Sequence, residues 1–226
     1  ILAGSLIETA YLFRWYGQAL HGPVKLDNAP ALGAHLFPLF PVYAMAGLLV
    51  VSGAIAAALA GLTSHWTMAP LAAGVVPLLL AGSPGRIQGL TVLGLAILGG
   101  GWLIQDVPGL NGLFAVLLLA GGVVIAIASL YRSDSRLGFY PLLAILLLSL
   151  PALPRASTHL EFFFIWELIT LSSYFLILRS RDAQLHALPF LLFSLVAASF
   201  LLAGFAVLHA ESGSIELSAL RTAGPY

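Results

Sequence analysis

The chain has 226 residues and a formal net charge of zero, with 60% hydrophobic and 8% charged residues. Soluble domains average about 25% charged residues, so this composition excludes a soluble globular protein, a disordered chain and a basic nucleic-acid-binding surface. The sequence contains no cysteine, which excludes disulfides, thiolate metal sites and cysteine nucleophiles. The remaining class is a polytopic membrane protein that contacts the lipid bilayer and no nucleic acid.

Both ends of the sequence have the character of a fragment. The chain begins at Ile1, without a methionine and already inside an apolar run, and it ends at Tyr226 in a predicted loop. The first apolar run lacks the basic segment and the small-residue cleavage site of a signal peptide. We therefore expect the sequence to be a piece of a longer protein.

Eight apolar stretches approach the roughly 20 residues that a helix needs to cross a bilayer core. In chain order they cover residues 1–20, 38–62, 66–82, 87–104, 110–131, 138–153, 158–179 and 186–208. Proline and glycine signals, such as Ser83-Pro84-Gly85, separate them. None alternates apolar and polar residues as a β-barrel strand does. The sequence therefore predicts an all-α transmembrane bundle of about eight helices.

The cations are distributed unequally between the two sides of this bundle. If the connections alternate between sides, one side receives seven cations and the other two. The seven are Arg14, Lys25, Arg86, Arg132, Arg136, Arg179 and Arg181, and the two are Arg155 and Arg221. The positive-inside rule assigns the first side to the cytoplasm. The loops after residues 20, 82, 131 and 179 are thus predicted to be cytoplasmic, in the inner (plasma) membrane of a prokaryote.

One acidic residue falls in the middle of a predicted span. Glu167 lies near the centre of the span 158–179, where burial disfavours a charged carboxylate. Such a group can alternate between neutral and charged forms, as a proton relay requires, and intramembrane acids are most often functional. Thr170 and Tyr174 follow at i+3 and i+7, so they share a helix face with Glu167. A hydrogen bond from Glu167 to a neighbouring helix is the structural alternative.

Three further residues are candidates for a proton path. Glu8 lies in the first predicted span, with Arg14 six residues on, and its pattern fits helix packing as well as an ion path. His159 and Glu161 lie near the outer end of the Glu167 helix, where we expect them to face the membrane interface or to release protons. The sequence carries no nucleotide, hydrolase or metalloprotease motif. We expect no cofactor, no metal and no catalytic chemistry on this chain.

The stretch 160–177, LEFFFIWELITLSSYFLI, resembles the fifth helix of the antiporter-like subunits of respiratory complex I. The same family includes the large subunits of multisubunit cation/proton antiporters and membrane subunits of membrane-bound hydrogenases, with the pattern F-x-x-W-E-[LM]-x-[ST]-L-x-S-[YF]-x-L. By this resemblance, residues 64–226 are the first six helices of one module. Residues 1–63 are the last two helices of a preceding module.

The resemblance implies translocation of protons, or antiport of a cation such as Na⁺ against protons, by one membrane subunit of a larger complex. Glu167 would be the glutamate that pairs with a lysine of the seventh helix, and any electron transfer would belong to partner subunits. Many relatives also have a lysine near the start of the sixth helix, where this sequence has Pro189. That difference favours the alternative of a non-conducting subunit that scaffolds the complex.

Overall fold

The computed structural model describes residues 64–131, 138–179 and 184–218, and only the backbone of residues 184–186 and 188. The first two predicted spans, with Glu8, lie outside the described residues. In the described ranges the chain forms helices and turns, apart from one antiparallel bridge between Thr158 and Glu216. The prediction of an all-α helical membrane bundle is confirmed.

Six α-helices follow one another along the described residues. A 3₁₀ turn, His65–Met68, leads into α1, Ala69–Leu79. The next helices are α2, Gly85–Ile104; α3, Gly109–Ser129; and α4, Phe139–Ala152, which continues into the 3₁₀ turn Leu153–Arg155. The last two are α5, His159–Leu178, and α6, Gln184–Ser212. Each corresponds to one of the last six predicted spans.

Four of these helices have the length and the apolar composition of a membrane span, namely α2, α3, α5 and the Pro189–Ser212 part of α6. The other two are shorter apolar helices, because α1 has 11 residues and α4 has 14. At 1.5 Å per residue, α4 is about 21 Å long, less than the roughly 30 Å of a bilayer core. The 3₁₀ turns lengthen both, to His65–Leu79 and Phe139–Arg155.

The helix α4 is the centre of the described bundle. It packs against α1, α2, α3 and α5, whereas α6 packs against α5. The core cluster joins α2, α3 and α4 through Val92, Ala96, Ala126, Tyr140, Leu143, Ala144 and Leu147. Small residues allow close approach of these helices, as is common where membrane helices pack. The packing of α5 against this centre positions the predicted site.

Candidate functional site

The side chain of Glu167 lies midway along α5 and away from its most buried face. Glu167 is the ninth of the 20 residues of α5. The buried residues Glu161, Ile165, Leu168 and Ser172 recur every three or four positions and so share one face of the helix. Glu167 falls outside this series and is half-buried. Its carboxyl group is therefore directed to a side of α5 that the described helices cover only in part.

No described residue donates a hydrogen bond to the Glu167 carboxylate or forms an ion pair with it. Arg179 follows the carboxyl-terminal end of α5. It lies twelve residues after Glu167, about 18 Å away along the helix axis. Its Nη1 donates to the Phe175 carbonyl oxygen over 2.9 Å. The sequence has a single lysine, Lys25, which lies outside the described residues. The charge of Glu167 is thus uncompensated within the described bundle.

Thr170 and Tyr174 follow Glu167 at the spacing that the sequence analysis singled out. Thr170 is 7% exposed, and Tyr174 is half-buried, with its ring 5.2 Å from that of Phe175. Residues three and seven positions apart on a helix lie on one side of it. The three polar side chains therefore follow one side of α5 over two turns, from its middle toward its carboxyl-terminal end.

Glu161 is held by hydrogen bonds at the start of α5. Its Oε1 accepts from the Ser64 amide over 2.9 Å, and its Oε2 accepts from the Ser157 amide and hydroxyl over 2.9 and 2.8 Å. Oε2 also accepts from the Thr158 amide at 3.3 Å, while the Glu161 amide donates to Thr158 Oγ1, which completes a capping box. The carboxylate thereby ties the segment before α1 to the start of α5.

His159 is also buried at the start of α5. Its ring is 4% exposed and stacks on Phe205 of α6, with 4.6 Å between the ring centroids and 3° between the planes. Its amide donates to the Ile215 carbonyl oxygen over 2.9 Å. The expectation that His159 and Glu161 face the membrane interface was wrong, since Glu161 is only 1% exposed. Both side chains instead connect α5 to neighbouring segments.

Arg155 is a structural residue that the sequence analysis counted only as a charge. Its guanidinium lies 5.4 Å from the ring centroids of both Trp66 and Trp102. It donates to the Leu103 carbonyl oxygen over 3.1 Å and forms an ion pair with Asp106 at 3.3 Å. Because the guanidinium lies at the carboxyl-terminal end of α2, the dipole of that helix also stabilises its positive charge. Arg155 therefore joins the starts and ends of three helices at the same end of the bundle as Glu161.

One sequence signal would have indicated the buried position of Glu161. The pattern Thr158-x-x-Glu161 just before an apolar run is that of a capping box, in which the glutamate turns back to the chain. No comparable local signal marks Arg155, because its partners Trp66 and Trp102 are distant in sequence. In the described ranges, no group of three or more His, Asp or Glu residues has the arrangement of a metal site.

Comparison with protein families agrees with this arrangement. Residues 156–224, which include α5 and α6, match the model of the family described as NADH:quinone oxidoreductase/Mrp antiporter, transmembrane. No curated protein and no solved structure matches the chain significantly. The match confirms the resemblance found at residues 160–177. The chain is a multi-pass membrane protein, and its residues 156–224 are similar to antiporter-like membrane subunits.

Proposed function

We propose that this chain conducts protons as one antiporter-like membrane subunit of a multisubunit complex, with Glu167 as the group that binds and releases the proton. The observation that carries the proposal is a half-buried carboxyl group midway along an apolar helix, with no partner among the described residues. A charge at that depth is costly, at roughly 2.5–3.5 kcal/mol on insertion scales. Protonation removes this cost, and a nearby cation restores the charged form, so the two states can alternate.

The proposed path near Glu167 includes Thr170 and Tyr174. Their polar groups lie on the same side of α5, where they can hold water or accept a hydrogen bond from the protonated carboxyl group. The path does not pass through Glu161, because four donors already occupy its carboxylate. A lysine from a part of the protein beyond the described helices would supply the cation that sets the charge of Glu167.

We also propose the arrangement of the chain in the complex and in the membrane. Residues 64–226 are the first six helices of one module, and residues 1–63 are the end of a preceding one. The six described helices between residues 64 and 218 support the first part of this division. The end of the bundle that carries the turn after α1 faces the cytoplasm of a prokaryotic cell.

The test of this function is the substitution Glu167→Gln in the full protein within its complex. The amide keeps the size of the side chain but does not bind or release a proton at physiological pH. We expect proton transport into inverted membrane vesicles, followed with a pH-sensitive dye, to be almost abolished while the complex still assembles. Glu211→Gln is the control, because Glu211 is exposed at the end of α6. Normal transport by assembled Glu167→Gln complexes would refute the proposal.

The same vesicles distinguish the transported ion. If Glu167 serves proton translocation alone, dye quenching will not depend on sodium in the medium. A proton signal that requires sodium, and that Glu167→Gln removes, would instead assign the chain to cation/proton antiport.

A non-conducting scaffold is the second candidate function. Pro189 stands in the first turns of α6, where many relatives have a lysine. Under this alternative, Glu167→Gln would leave transport by the whole complex unchanged. Glu161→Gln would destabilise the complex under either function, so transport by the Glu167→Gln complex is the measurement that separates the two.

A further inference from the structure

Two buried nitrogen atoms on α5 have no hydrogen-bond partner within the described part of the chain. They are Nε2 of His159 and Nε1 of Trp166. Buried polar atoms in proteins are nearly always paired with another protein group or with ordered water. An unpaired buried donor or acceptor costs about 1–3 kcal/mol. Two such atoms on one helix therefore indicate that another polar species is present beside it.

The two nitrogen atoms belong to one face of α5. Trp166 follows His159 by seven residues, so the two side chains lie on one face, about 10 Å apart along the axis. Phe162 lies between them, with its ring centroid 6.1 Å from that of Trp166. Both His159 and Phe162 contact Phe205 of α6, at 4.6 and 6.1 Å between centroids. This face, which we call the His159–Trp166 face, is directed toward α6.

The His159–Trp166 face leads to the level of Glu167. Thr170 is four residues after Trp166 and three after Glu167, so it is a neighbour of both on the helix surface. Its side chain is 7% exposed. Polar groups thus occur at the first, eighth and twelfth positions of α5, and they reach the turn that holds the proposed proton-binding carboxyl group.

The other end of this face lies next to the surface of the bundle. His159 is the first residue of α5, and its buried ring is close to the exposed His209 and to the backbone of Glu216. Bulk water is therefore adjacent to this end. The phenyl rings beside the two nitrogen atoms offer them no conventional hydrogen-bond acceptor.

We propose that a short file of water molecules runs along the His159–Trp166 face and connects the His159 end of α5 to Glu167. This inference rests on the proposed function and adds an access route to Glu167. His159 Nε2 holds the water at the entrance, and Trp166 Nε1 donates a hydrogen bond to a water near the level of Glu167. A proton passes from water to water along this file and binds a Glu167 carboxylate oxygen. The reverse order releases it.

Transport by conservative variants tests the route. Trp166→Phe removes the indole N–H and keeps an aromatic ring, and we expect a several-fold lower rate of proton transport in assembled complexes. His159→Phe will lower the rate similarly, while His159→Gln, which retains a polar group, will preserve more of it. The matched controls are Trp102→Phe and His65→Phe, at an indole that is 43% exposed and at an exposed imidazole; neither residue is part of α5. Neither control is expected to slow transport.

Thiol labelling measures the water directly and does not depend on transport. The 226 residues contain no cysteine, so Trp166→Cys introduces one new reactive site, at the eighth position of α5, and labelling is compared with that of the unsubstituted complex. Val116→Cys is the control, at the eighth position of α3 and 49% exposed on an apolar face. We expect a small hydrophilic thiol reagent to label the Trp166→Cys variant much faster than the Val116→Cys variant.

The outcomes separate this inference from the proposed function. Equal, slow labelling of both cysteine variants, with normal transport by Trp166→Phe and His159→Phe, would overturn the water route. If Glu167→Gln still abolished transport in that case, the function would stand without it. Fast labelling of the Trp166→Cys variant with normal transport by Glu167→Gln would instead leave a hydrated face and refute the proton-binding role of Glu167.

Discussion

Glu161 and Glu167 are six residues apart on one helix, yet their carboxylates have opposite surroundings. Four hydrogen bonds from three residues hold the carboxylate of Glu161 at the end of α5. Glu167 has no such donor among the described residues. A carboxylate with several amide donors is stabilised in its charged form. Glu161 therefore suits a fixed structural charge, whereas Glu167 suits a group whose protonation changes.

Replacement of Glu161 by glutamine will destabilise the protein more than it changes transport. The amide has one acceptor oxygen, and its NH₂ group would face donors that are now paired with Oε2. Each buried donor left unpaired costs about 1–3 kcal/mol. We expect the purified complex to unfold at a temperature several degrees lower, as followed by loss of its monodisperse peak after heating.

The controls for this prediction are Glu211→Gln and the transport assay. Glu211 is exposed at the end of α6, so its substitution should leave the unfolding temperature unchanged. Transport per assembled complex should stay close to normal in Glu161→Gln. A stable Glu161→Gln complex that fails to transport would place Glu161 on the proton path after all.

At the scale of helices, the contact between α1 and α4 depends on the absence of a side chain at Gly74. A Cβ atom there would lie 2.6 Å from Cγ1 of Ile145 and 3.3 Å from the Pro141 carbonyl oxygen. Real Cβ atoms do not approach other atoms that closely, so the Ile145 side chain or one of the two helices must move. Such overpacking typically costs about 1–3 kcal/mol.

We expect Gly74→Ala to lower the unfolding temperature of the complex, and Ile145→Ala in the same background to restore part of it. The restoration follows because the second change removes the atoms that the new methyl group meets. Gly94→Ala is the matched control, since it lies in α2 with no atom within 4 Å of the added Cβ position. If Gly74→Ala were as stable as Gly94→Ala, the close packing of α1 on α4 would be contradicted.

Hydropathy predicted the order of the described helices well and their ends less well. The predicted span 66–82 is longer than α1, which ends at Leu79, because Leu80-Ala81-Gly82 is apolar but forms a turn. The predicted span 186–208 is shorter than α6, which continues to Ser212 through polar residues. A count of apolar residues measures what the bilayer accepts, whereas hydrogen bonding and glycine decide where a helix ends.

The same distinction explains which site residues the sequence could indicate. Glu167 was recognisable because a carboxyl group is unusual in the middle of an apolar span and because its neighbours form a family motif. The burial of Glu161 depends on Ser64, which is 97 residues away in sequence. Hydropathy assigns a polar residue near a span end to the interface by default. Only the contact of the segment before α1 with the start of α5 places it inside the protein.

The whole described bundle has two ends that differ in their charges. At one end, Arg155 pairs with Asp106 and the Glu161 carboxylate binds the Ser64 amide. The other end contains the turn after α1 and the guanidinium of Arg179, which lies against Gly138. Arg86, in the first turn of α2, also lies at this second end. In the sequence, three more arginines fall between α3 and α4 or between α5 and α6, outside the described residues, namely Arg132, Arg136 and Arg181. This distribution of cations is the physical basis for the proposal that the second end faces the cytoplasm.

Labelling of two single-cysteine variants in intact cells tests this orientation. Gly82→Cys places a thiol in the exposed turn after α1, where no atom lies within 4 Å of the added Cβ position. Ser218→Cys places one at the opposite end, at an exposed residue after α6. A membrane-impermeant thiol reagent should label the Ser218→Cys variant in intact cells and the Gly82→Cys variant only after permeabilisation.

Since α5 begins at the Ser218 end, that result would make the His159–Trp166 face the external access route to Glu167. The opposite labelling would make it the cytoplasmic route, and labelling of both variants in intact cells would contradict the alternation of the six helices across the membrane.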